Sequence, residues 1–346
     1  MNMAQTEIIT PGPLLDKRGE LLRPGFSRTM VQSYRREDVR VSPLRLKEWD
    51  YYLVSNGRYA LALTVADNGY MGLDSVSFLC LEEGWEITKS PMQIMTLGKK
   101  RMPPDSREGD VYSAGKDYFL SFAHQGERRI LSAEMHGFGV MEDITATVEL
   151  EAAPPESMVI ATPFDKSGHF YYNQKINCLR AKGTVVCGGR TWEFDSADSF
   201  AVLDWGRGVW TYENTWYWSS ASYTVDGVPF GWNLGYGFGD TSAATENVLV
   251  YDGRVHKLAA VTFYIPGNAS GHPRFTEPWR FYSSDNRFEA DFRPVLDRQS
   301  CTDFKALKSD QHQVFGFFTG RAVLDDGRIV PFRELPGFAE KVYNKW

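Results

Sequence analysis

The stretch of this sequence best suited to chemistry is Asp204–Trp218, which reads DWGRGVWTYENTWYW. Six of its fifteen residues are aromatic, and four of the ten tryptophans of the chain fall here. An acidic residue, Asp204, and an arginine, Arg207, stand at its start. Large rings beside a carboxylate can hold a flat apolar molecule, the face of a sugar or a developing cation. The alternative is that these tryptophans only fill the core of a β protein.

Three acidic residues are candidates for this chemistry: Asp204 at the start of the stretch, and Asp240 and Glu246 beyond it. Burial among rings would raise the pKa of such a group and let it act as a general acid. We predict Asp204, Glu246 and Arg207 as the catalytic side chains. A guanidinium beside Asp204 would instead hold that carboxylate ionised, as a base, an anchor or half of a salt bridge. Glu246 has a similar alternative, an ion pair with Lys257. The substrate-contacting side chains are predicted to be Trp205, Trp210, Tyr212, Trp216, Trp218, Asn233, Tyr236, Asp240, Asn247 and His256.

The elements that must position these residues are β-hairpins. Asn-Gly and Asp-Gly pairs between extended runs are strong hairpin signals, because their central residues favour positive φ. We predict hairpin turns at four such sites, Asn56-Gly57, Asp226-Gly227, Asp252-Gly253 and Asp325-Asp326-Gly327. No segment shows a sustained helical period, so at most short helices are expected, near residues 35–48 or 303–312. The pattern predicts an all-β protein with antiparallel barrels or half-barrels.

The Asp226-Gly227 turn also fixes a register. A two-residue turn places Tyr217 opposite Tyr236 on one face of the hairpin, and Trp216 and Trp218 on the other face opposite Gly237 and Gly235. Gly231 and Gly239 continue this glycine row. Such a row either accepts rings that repair the missing packing or hollows out the sheet for a ligand. We favour the cavity, because alternating glycines weaken a strand.

Composition excludes several classes of function. The net charge of −6 and the lack of a basic run argue against nucleic-acid binding. No apolar segment has the length of a signal peptide or of a bilayer span, so we expect a cytoplasmic protein with no membrane span. The four cysteines are scattered without a CxxC pair, which favours reduced thiols.

Other site signals are lacking. No histidine has metal-ligand spacing to another histidine or to a cysteine, so we predict neither a metal nor a cofactor. There is no GxSxG elbow, and the glycine run GWNLGYGFGD lies in a strand pattern unlike a phosphate loop. The best linker candidate is EAAPPE at 151–156. It predicts an N-terminal domain over residues 1–155 and a C-terminal domain, carrying the site, over residues 156–346.

Several motifs together resemble a bacterial family of uncharacterised proteins, domain of unknown function 2804. They are DWGRGVW followed by TYENTWYWSSAS, GWNLGYGFGD followed by TSAATENVLVYDGRVHKL, KEWDYYLV at Lys47–Val54, PWRFYS with DNRFEADFRP within Pro278–Pro294, and the closing GFFTGRAVLDDGR and GFAEKVYNKW. That family is distantly similar to carotenoid hydratase-like and tocopherol-cyclase-like proteins of the lipocalin-related calycin class. The resemblance implies two β-barrel-like domains packed side by side.

The distant relatives also imply a chemistry, the hydration or cyclisation of an isoprenoid alkene. A protonated Asp204 would then supply the proton, and Trp205, Trp210, Trp216 and Trp218 would stabilise the carbocation. Three functions remain open on the sequence. They are an enzyme of hydratase, cyclase or isomerase type on an apolar molecule, a carbohydrate-active protein that uses paired carboxylates, and a lipid carrier. In each case the partner is a small molecule, and the oligomeric state stays open.

Overall fold

The computed structural model describes residues 5–141, 143–304 and 307–345. These residues form strands joined by turns, with short 3₁₀ helices at Arg36–Asp38 and Gly139–Met141 and no α-helix in the described ranges. The strands are β1 (Gly12–Pro13), β2 (Gly25–Ser27), β3 (Gln32–Ser33), β4 (Lys47–Ser55), β5 (Tyr59–Asp67), β6 (Met71–Cys80), β7 (Trp85–Lys89), β8 (Met92–Ile94), β9 (Val111–Ala114), β10 (Tyr118–Gln125), β11 (Arg128–His136), β12 (Asp143–Leu150), β13 (Met158–Pro163), β14 (Phe170–Cys187), β15 (Arg190–Phe194), β16 (Phe200–Val209), β17 (Glu213–Val225), β18 (Val228–Tyr236), β19 (Val248–Tyr251), β20 (Arg254–Lys257), β21 (Val261–Tyr264), β22 (Trp279–Ser283), β23 (Phe288–Phe304), β24 (Leu307–Val323) and β25 (Ile329–Lys345).

Two curled antiparallel sheets account for nearly all of these strands, which confirms the predicted all-β half-barrel fold. The first sheet has the order β7-β6-β5-β4-β16-β14-β12-β11-β10-β9, and β2, β8, β13 and β15 pair beside this path. The second sheet has the order β20-β19-β18-β17-β25-β24-β23-β22-β21. Each sheet encloses its own apolar core, around Trp205 and Phe78 in the first and around Trp232 and Phe318 in the second.

The predicted hairpins are confirmed. The four turns connect β4 to β5, β17 to β18, β19 to β20 and β24 to β25. Asp226 and Gly227 have φ of 52° and 79°, and Asp252 and Gly253 have φ of 48° and 73°. The register is also as predicted, with Tyr217 opposite Tyr236 and Trp218 opposite Gly235.

Two expectations about chain organisation need correction. β13 to β16, over residues 158–209, pair within the first sheet, so the chain passes to the second sheet between Val209 and Glu213 rather than at residue 155. The EAAPPE segment lies before β13 and joins two strands of one sheet. The short helix expected near 303–312 is also wrong, because the described residues of this range belong to β23 and β24. Long-range pairing with β25 stabilises extended backbone there, which local composition does not reveal.

The outer faces of the two sheets pack against each other. Tyr51 and Val202 from the first sheet share an apolar cluster with Trp218 and Phe338 from the second. A bulge in β14 adds a polar connection, since the Asn177 amide donates to the side-chain oxygen of Ser220 at 2.8 Å and to the Trp232 carbonyl at 2.9 Å. We call this packed interface between the two sheets the seam. Because side chains alternate along a strand, every second residue of a strand faces it.

Candidate active site

An ion pair of the first sheet lies in this seam. Lys175 of β14 and Asp204 of β16 are directly opposite each other in the ladder, and Lys175 Nζ lies 2.8 Å from Asp204 Oδ2. The Asn173 amide donates to Asp204 Oδ1 at 2.6 Å. Lys175 is only 3% exposed and Asp204 8%. The pair is thus desolvated and held on two rigid strands.

The second sheet covers this pair with an aromatic ring and an amide. Lys175 Nζ lies 3.8 Å from the centroid of the Trp218 ring, a close cation–π contact. The Trp218 indole N–H donates to Asn233 Oδ1 at 2.7 Å, and the Asn233 amide donates to the backbone oxygen of Glu246 at 2.9 Å and to Oε2 at 3.3 Å. Burial raises the pKa of Glu246, while the Lys175 charge and the Asn233 hydrogen bond oppose that shift.

A further carboxyl group, Glu340 of β25, lies on the same side of the second sheet. The Trp216 indole N–H donates to Glu340 Oε1 at 2.9 Å, and the Gln313 amide donates to Oε2 at 3.0 Å. Burial raises the pKa of Glu340 to about 7, against the Trp216 hydrogen bond and the charges of Lys175 and Arg298. We call Lys175, Asp204, Glu246 and Glu340 the interface cluster.

Six aromatic rings adjoin the interface cluster. Phe238, in the loop after β18, is at their centre, with ring centroids 4.9 Å from Tyr171 and 5.5 Å from Trp216. Trp216 connects the two clusters through its hydrogen bond to Glu340. Trp216 and Phe238 are half-buried, so these rings extend from the cluster to the surface. We call this set the ring cluster: Trp49, Phe164, Tyr171, Trp210, Trp216 and Phe238.

The structure brings together about half of the predicted site residues. Asp204, Glu246, Asn233 and Trp218 meet in the seam, and Trp216 and Trp210 lie in the ring cluster. Lys257, the expected partner of Glu246, donates from Nζ to the backbone oxygens of Thr245 and Asn247 at 2.6 and 3.1 Å instead of forming that ion pair. Backbone oxygens of the segment before β19 thus hold the ammonium group in place of the carboxylate.

Arg207 does not accompany Asp204. The two residues are three apart on β16 and point to opposite faces, because side chains alternate along a strand. The Arg207 guanidinium lies inside the first sheet, 3.0 Å from Asp50 Oδ1, and donates to three backbone oxygens, of Trp49, Gly206 and Pro103. Trp205 shares that inner face, is fully buried and stacks under Arg207. The expected Asp204–Arg207 pair is therefore wrong.

The remaining predicted contacts lie away from the seam. Tyr236 stacks on Tyr217 inside the second sheet, and Asn247 Oδ1 accepts a hydrogen bond from the Gly235 amide. His256 Nδ1 lies 3.3 Å from Asp325 Oδ2. Asp240 is exposed and its carboxylate accepts from the Ser242 amide, and Tyr212 is 43% exposed.

The glycine face of β18 is occupied, contrary to the cavity that we expected over it. A Cβ at Gly235 would lie 2.4 Å from Glu246 Oε1, and a Cβ at Gly231 would lie 2.2 Å from the Ala221 carbonyl and 3.0 Å from Cys178 Sγ. The glycines therefore make room for a carboxyl group and a thiol. A cavity of about 30 Å³ does lie in the seam, lined by side chains that include Val202, Phe338 and Ser220.

Sequence reasoning missed Lys175, Glu340, Asn173 and Gln313. Glu340 was detectable in principle, because it alternates with Phe338 and Val342 on one face of a terminal strand. A carboxyl group in such an apolar series needs a partner or a function. Its partner Trp216 is 124 residues away in the chain, and only the β17–β25 ladder brings the two together.

The described residues hold no cluster of three or more histidine, cysteine or carboxylate side chains arranged to bind a metal. The four cysteines are free. Within the same residues, no helix is long and apolar enough to pass through a bilayer.

Comparison with known proteins gives the family. The sequence pattern of the family described as "Domain of unknown function (DUF2804)" matches residues 5–346. The chain belongs to this family. The resemblance noted in the sequence is thereby confirmed. No curated protein sequence matches the chain.

Solved structures share the fold of this DUF2804 chain. Kievitone hydratase from Nectria haematococca is 12% identical with a TM-score of 0.53, and the match covers 87% of this chain and 88% of that one. A protein given the name AttH from Nitrosomonas europaea is 13% identical with a TM-score of 0.54, over 94% of this chain and 99% of that one. At these identities the likeness establishes the fold.

Proposed function

We propose that this protein is an enzyme of hydratase, cyclase or isomerase type, in which Glu340 donates a proton to an apolar small molecule bound in the seam. The observation that carries the proposal is the Glu340 carboxyl group, which is 8% exposed and has its pKa raised by burial to about 7. A general acid works best when its pKa is near the working pH. Its hydrogen bonds to Trp216 and Gln313 fix its direction.

We assign the role of general acid to Glu340 and not to Asp204, the residue that we predicted for it from the sequence. Asp204 forms an ion pair with Lys175 and accepts a hydrogen bond from Asn173, a geometry suited to accept a proton or to orient a substrate. Two carboxyl groups in different surroundings can divide acid and base roles in this way. Asp204 is therefore proposed as the base, with Lys175 as its partner.

The ring cluster supports an apolar substrate. Two of its half-buried members, Trp216 and Phe238, lie between the surface and Glu340, so a substrate entering there would replace ring contacts with its own apolar surface. Phe238 stands between Gly237 and Gly239, whose φ of 91° and 73° allow a sharp loop. One protein of the same fold is a hydratase by name, but fold alone does not assign a reaction.

An isotope experiment tests the proposal without knowledge of the substrate. The wild-type protein and the Glu340→Gln variant are incubated in D₂O with an organic extract of cells, and compounds that gain deuterium or the mass of water are found by mass spectrometry. We expect the wild type to convert at least one such compound. The E340Q variant should convert it about a hundredfold more slowly, since general acids contribute about 10²–10⁴-fold to the rate. Unchanged turnover by E340Q would exclude Glu340 as the acid.

The same experiment separates the other two functions. A carrier would co-purify with an apolar compound and leave the extract unchanged. A cavity in the second sheet, about 530 Å³ in volume, is lined partly by Lys308, Asp310, His312 and Lys341, which is unfavourable for a lipid chain. A carbohydrate-active protein would instead release sugars from the polar fraction. The four free cysteines support our expectation of a reducing, cytoplasmic setting.

A further inference from the structure

We infer that the substrate of this site carries a carbonyl group conjugated with the reacting double bond, and that Lys175 stabilises the negative charge that develops on the carbonyl oxygen. This inference rests on the proposed function and names its substrate class. It replaces the carbocation that the distant relatives imply with an enolate. The charged and polar groups around the proposed reaction site favour an enolate over a carbocation.

The first observation is that a cation already occupies the aromatic face in the seam. Lys175 Nζ lies 3.8 Å from the Trp218 centroid. A carbocation could not use this ring face without displacing the ammonium group, and the two positive charges would repel each other in a desolvated setting. Trp205, a second ring expected to stabilise a cation, lies on the inner face of β16 under Arg207.

The second observation is that Lys175 has hydrogen-bonding capacity to spare. An ammonium group has three N–H donors. Among the described residues, Lys175 Nζ has one polar partner within bonding distance, the acceptor Asp204 Oδ2 at 2.8 Å. This partner accounts for a single N–H donor. Lys175 is 3% exposed, so water satisfies little of the remainder. A carbonyl oxygen of the substrate would accept from a free N–H and would bind more strongly as it became an enolate.

The third observation is an unfilled acceptor beside the pair. Asn173 donates from Nδ2 to Asp204, whereas its Oδ1 is buried without a hydrogen-bond partner among the described residues. Buried amide oxygens are normally satisfied. A hydroxyl group or a water molecule placed there would donate to Asn173 and lie next to the Asp204 carboxylate. The nucleophile thus has an acceptor to orient it and a base to receive its proton.

These groups give a balanced reaction. The nucleophile, water or a hydroxyl group of the substrate, loses a proton to Asp204 while its oxygen bonds to the β carbon. The electron pair of the C=C bond moves to form the enolate, whose oxygen accepts from Lys175. The α carbon then takes a proton from Glu340, and the proton on Asp204 returns to Glu340 through solvent. Water gives a β-hydroxy carbonyl compound, and an internal hydroxyl gives a ring.

Two flat probes of opposite charge test the inference. 4-Nitrophenolate imitates an enolate, and (4-nitrophenyl)trimethylammonium imitates a carbocation, with the same ring. Binding of both is measured calorimetrically to the wild type, to Lys175→Arg and to the double variant Lys175→Met/Asp204→Asn, which leaves no charge unpaired. Thermal melting curves check that each variant folds.

We expect the wild type to bind the phenolate about tenfold more tightly than the ammonium probe. The K175R variant should show a similar preference, and the K175M/D204N variant should show none. The bound nitrophenol should also show its phenolate absorbance band at a lower pH than the free compound. Tighter binding of the ammonium probe by the wild type would overturn the inference.

The substrate found in the D₂O experiment tests the inference independently of the probe measurements. A compound with a conjugated carbonyl supports the inference, and an isolated alkene overturns it while leaving the proposed acid role of Glu340 intact. Full turnover by E340Q would instead remove the proposed function itself. The two failures are therefore distinguishable.

Discussion

The two faces of β16 carry buried charges of different kinds. On the inner face, Arg207 is fully buried, and Asp50 and three backbone oxygens accept from its guanidinium. On the outer face, Asp204 has Lys175 and Asn173 as partners, and both partners keep unused polar capacity. The Arg207 guanidinium leaves only its Nε without a partner among the described residues, so we call the inner network closed and the outer one open.

This difference separates structural charge from functional charge. A closed network fixes strands and loops to one another, since most of its polar groups are matched by other groups of the same fold. An open network leaves donors and acceptors for a group that the fold does not supply. Both lie on one strand, so sequence position alone does not distinguish the two kinds.

The largest expected effect comes from opening the closed network. Arg207→Met leaves Asp50 buried without its partner and removes the donor from three backbone oxygens. We expect a loss of about 3–5 kcal/mol in the free energy of unfolding, as found when one partner of a buried pair is removed. Urea denaturation measures it. A loss under about 1 kcal/mol would show that the inner network is not structural.

Removing both members of the outer pair should not lower the free energy of unfolding. Lys175→Met/Asp204→Leu replaces two buried charges with apolar side chains, and such replacements are neutral or stabilise by about 1–4 kcal/mol. We expect this variant to be at least as stable as the wild type in the same denaturation experiment and to lose binding of the phenolate probe. Strong destabilisation would place the outer pair in the structural class.

The pH dependence of stability sharpens the assignment of Glu340. Its pKa in the folded protein is about 7, against 4.5 for an ordinary glutamate, so the folded state binds the extra proton between these values. Stability contributed by the protonated group is full below about pH 4.5 and is lost as the pH rises towards 7, by roughly 3 kcal/mol in total. Glu340→Gln should therefore flatten this part of the stability profile. An unchanged slope between pH 5 and 7 would argue against a protonated Glu340.

Two glycines of β18 offer a matched pair of smaller effects. An alanine Cβ at Gly231 meets the backbone oxygen of Ala221, so the strands must move, and G231A should cost about 1–3 kcal/mol. At Gly235 the Cβ meets the flexible carboxyl end of Glu246, so G235A should stay within about 1 kcal/mol of the wild type but displace that carboxyl group. Denaturation and probe binding together measure both. Equal destabilisation by the two variants would contradict the difference.

The smallest effect is expected at His256, which we first placed in the site. Its pair with Asp325 lies at the surface, and Asp325 is 48% exposed. His256→Ala should change the free energy of unfolding by at most about 1 kcal/mol and leave turnover in the D₂O experiment unaltered. A clear loss of turnover would return His256 to the site.

The sequence predicts local pairing well and distant pairing poorly. The Asp226-Gly227 turn determines which face of β17 carries Trp216 and Trp218, because a two-residue turn allows one register. The same alternation separates Asp204 from Arg207, although proximity in sequence favoured their pairing. Lys175 and Glu340 reach the site only through the β14–β16 and β17–β25 ladders. No local rule connects strands that are so far apart in the chain.

Lys175, Asp204, Trp218 and Glu340 all stand in the middle of paired strands, whereas many enzymes carry such groups on loops. A residue fixed in a ladder cannot be moved by lengthening a nearby turn. Variation in specificity among members of this family would therefore arise by exchange of one side chain for another at fixed positions, or by a small slide of one whole sheet over the other. A fragment that contains only one of the sheets would possess half of the reacting groups and none of the enclosure.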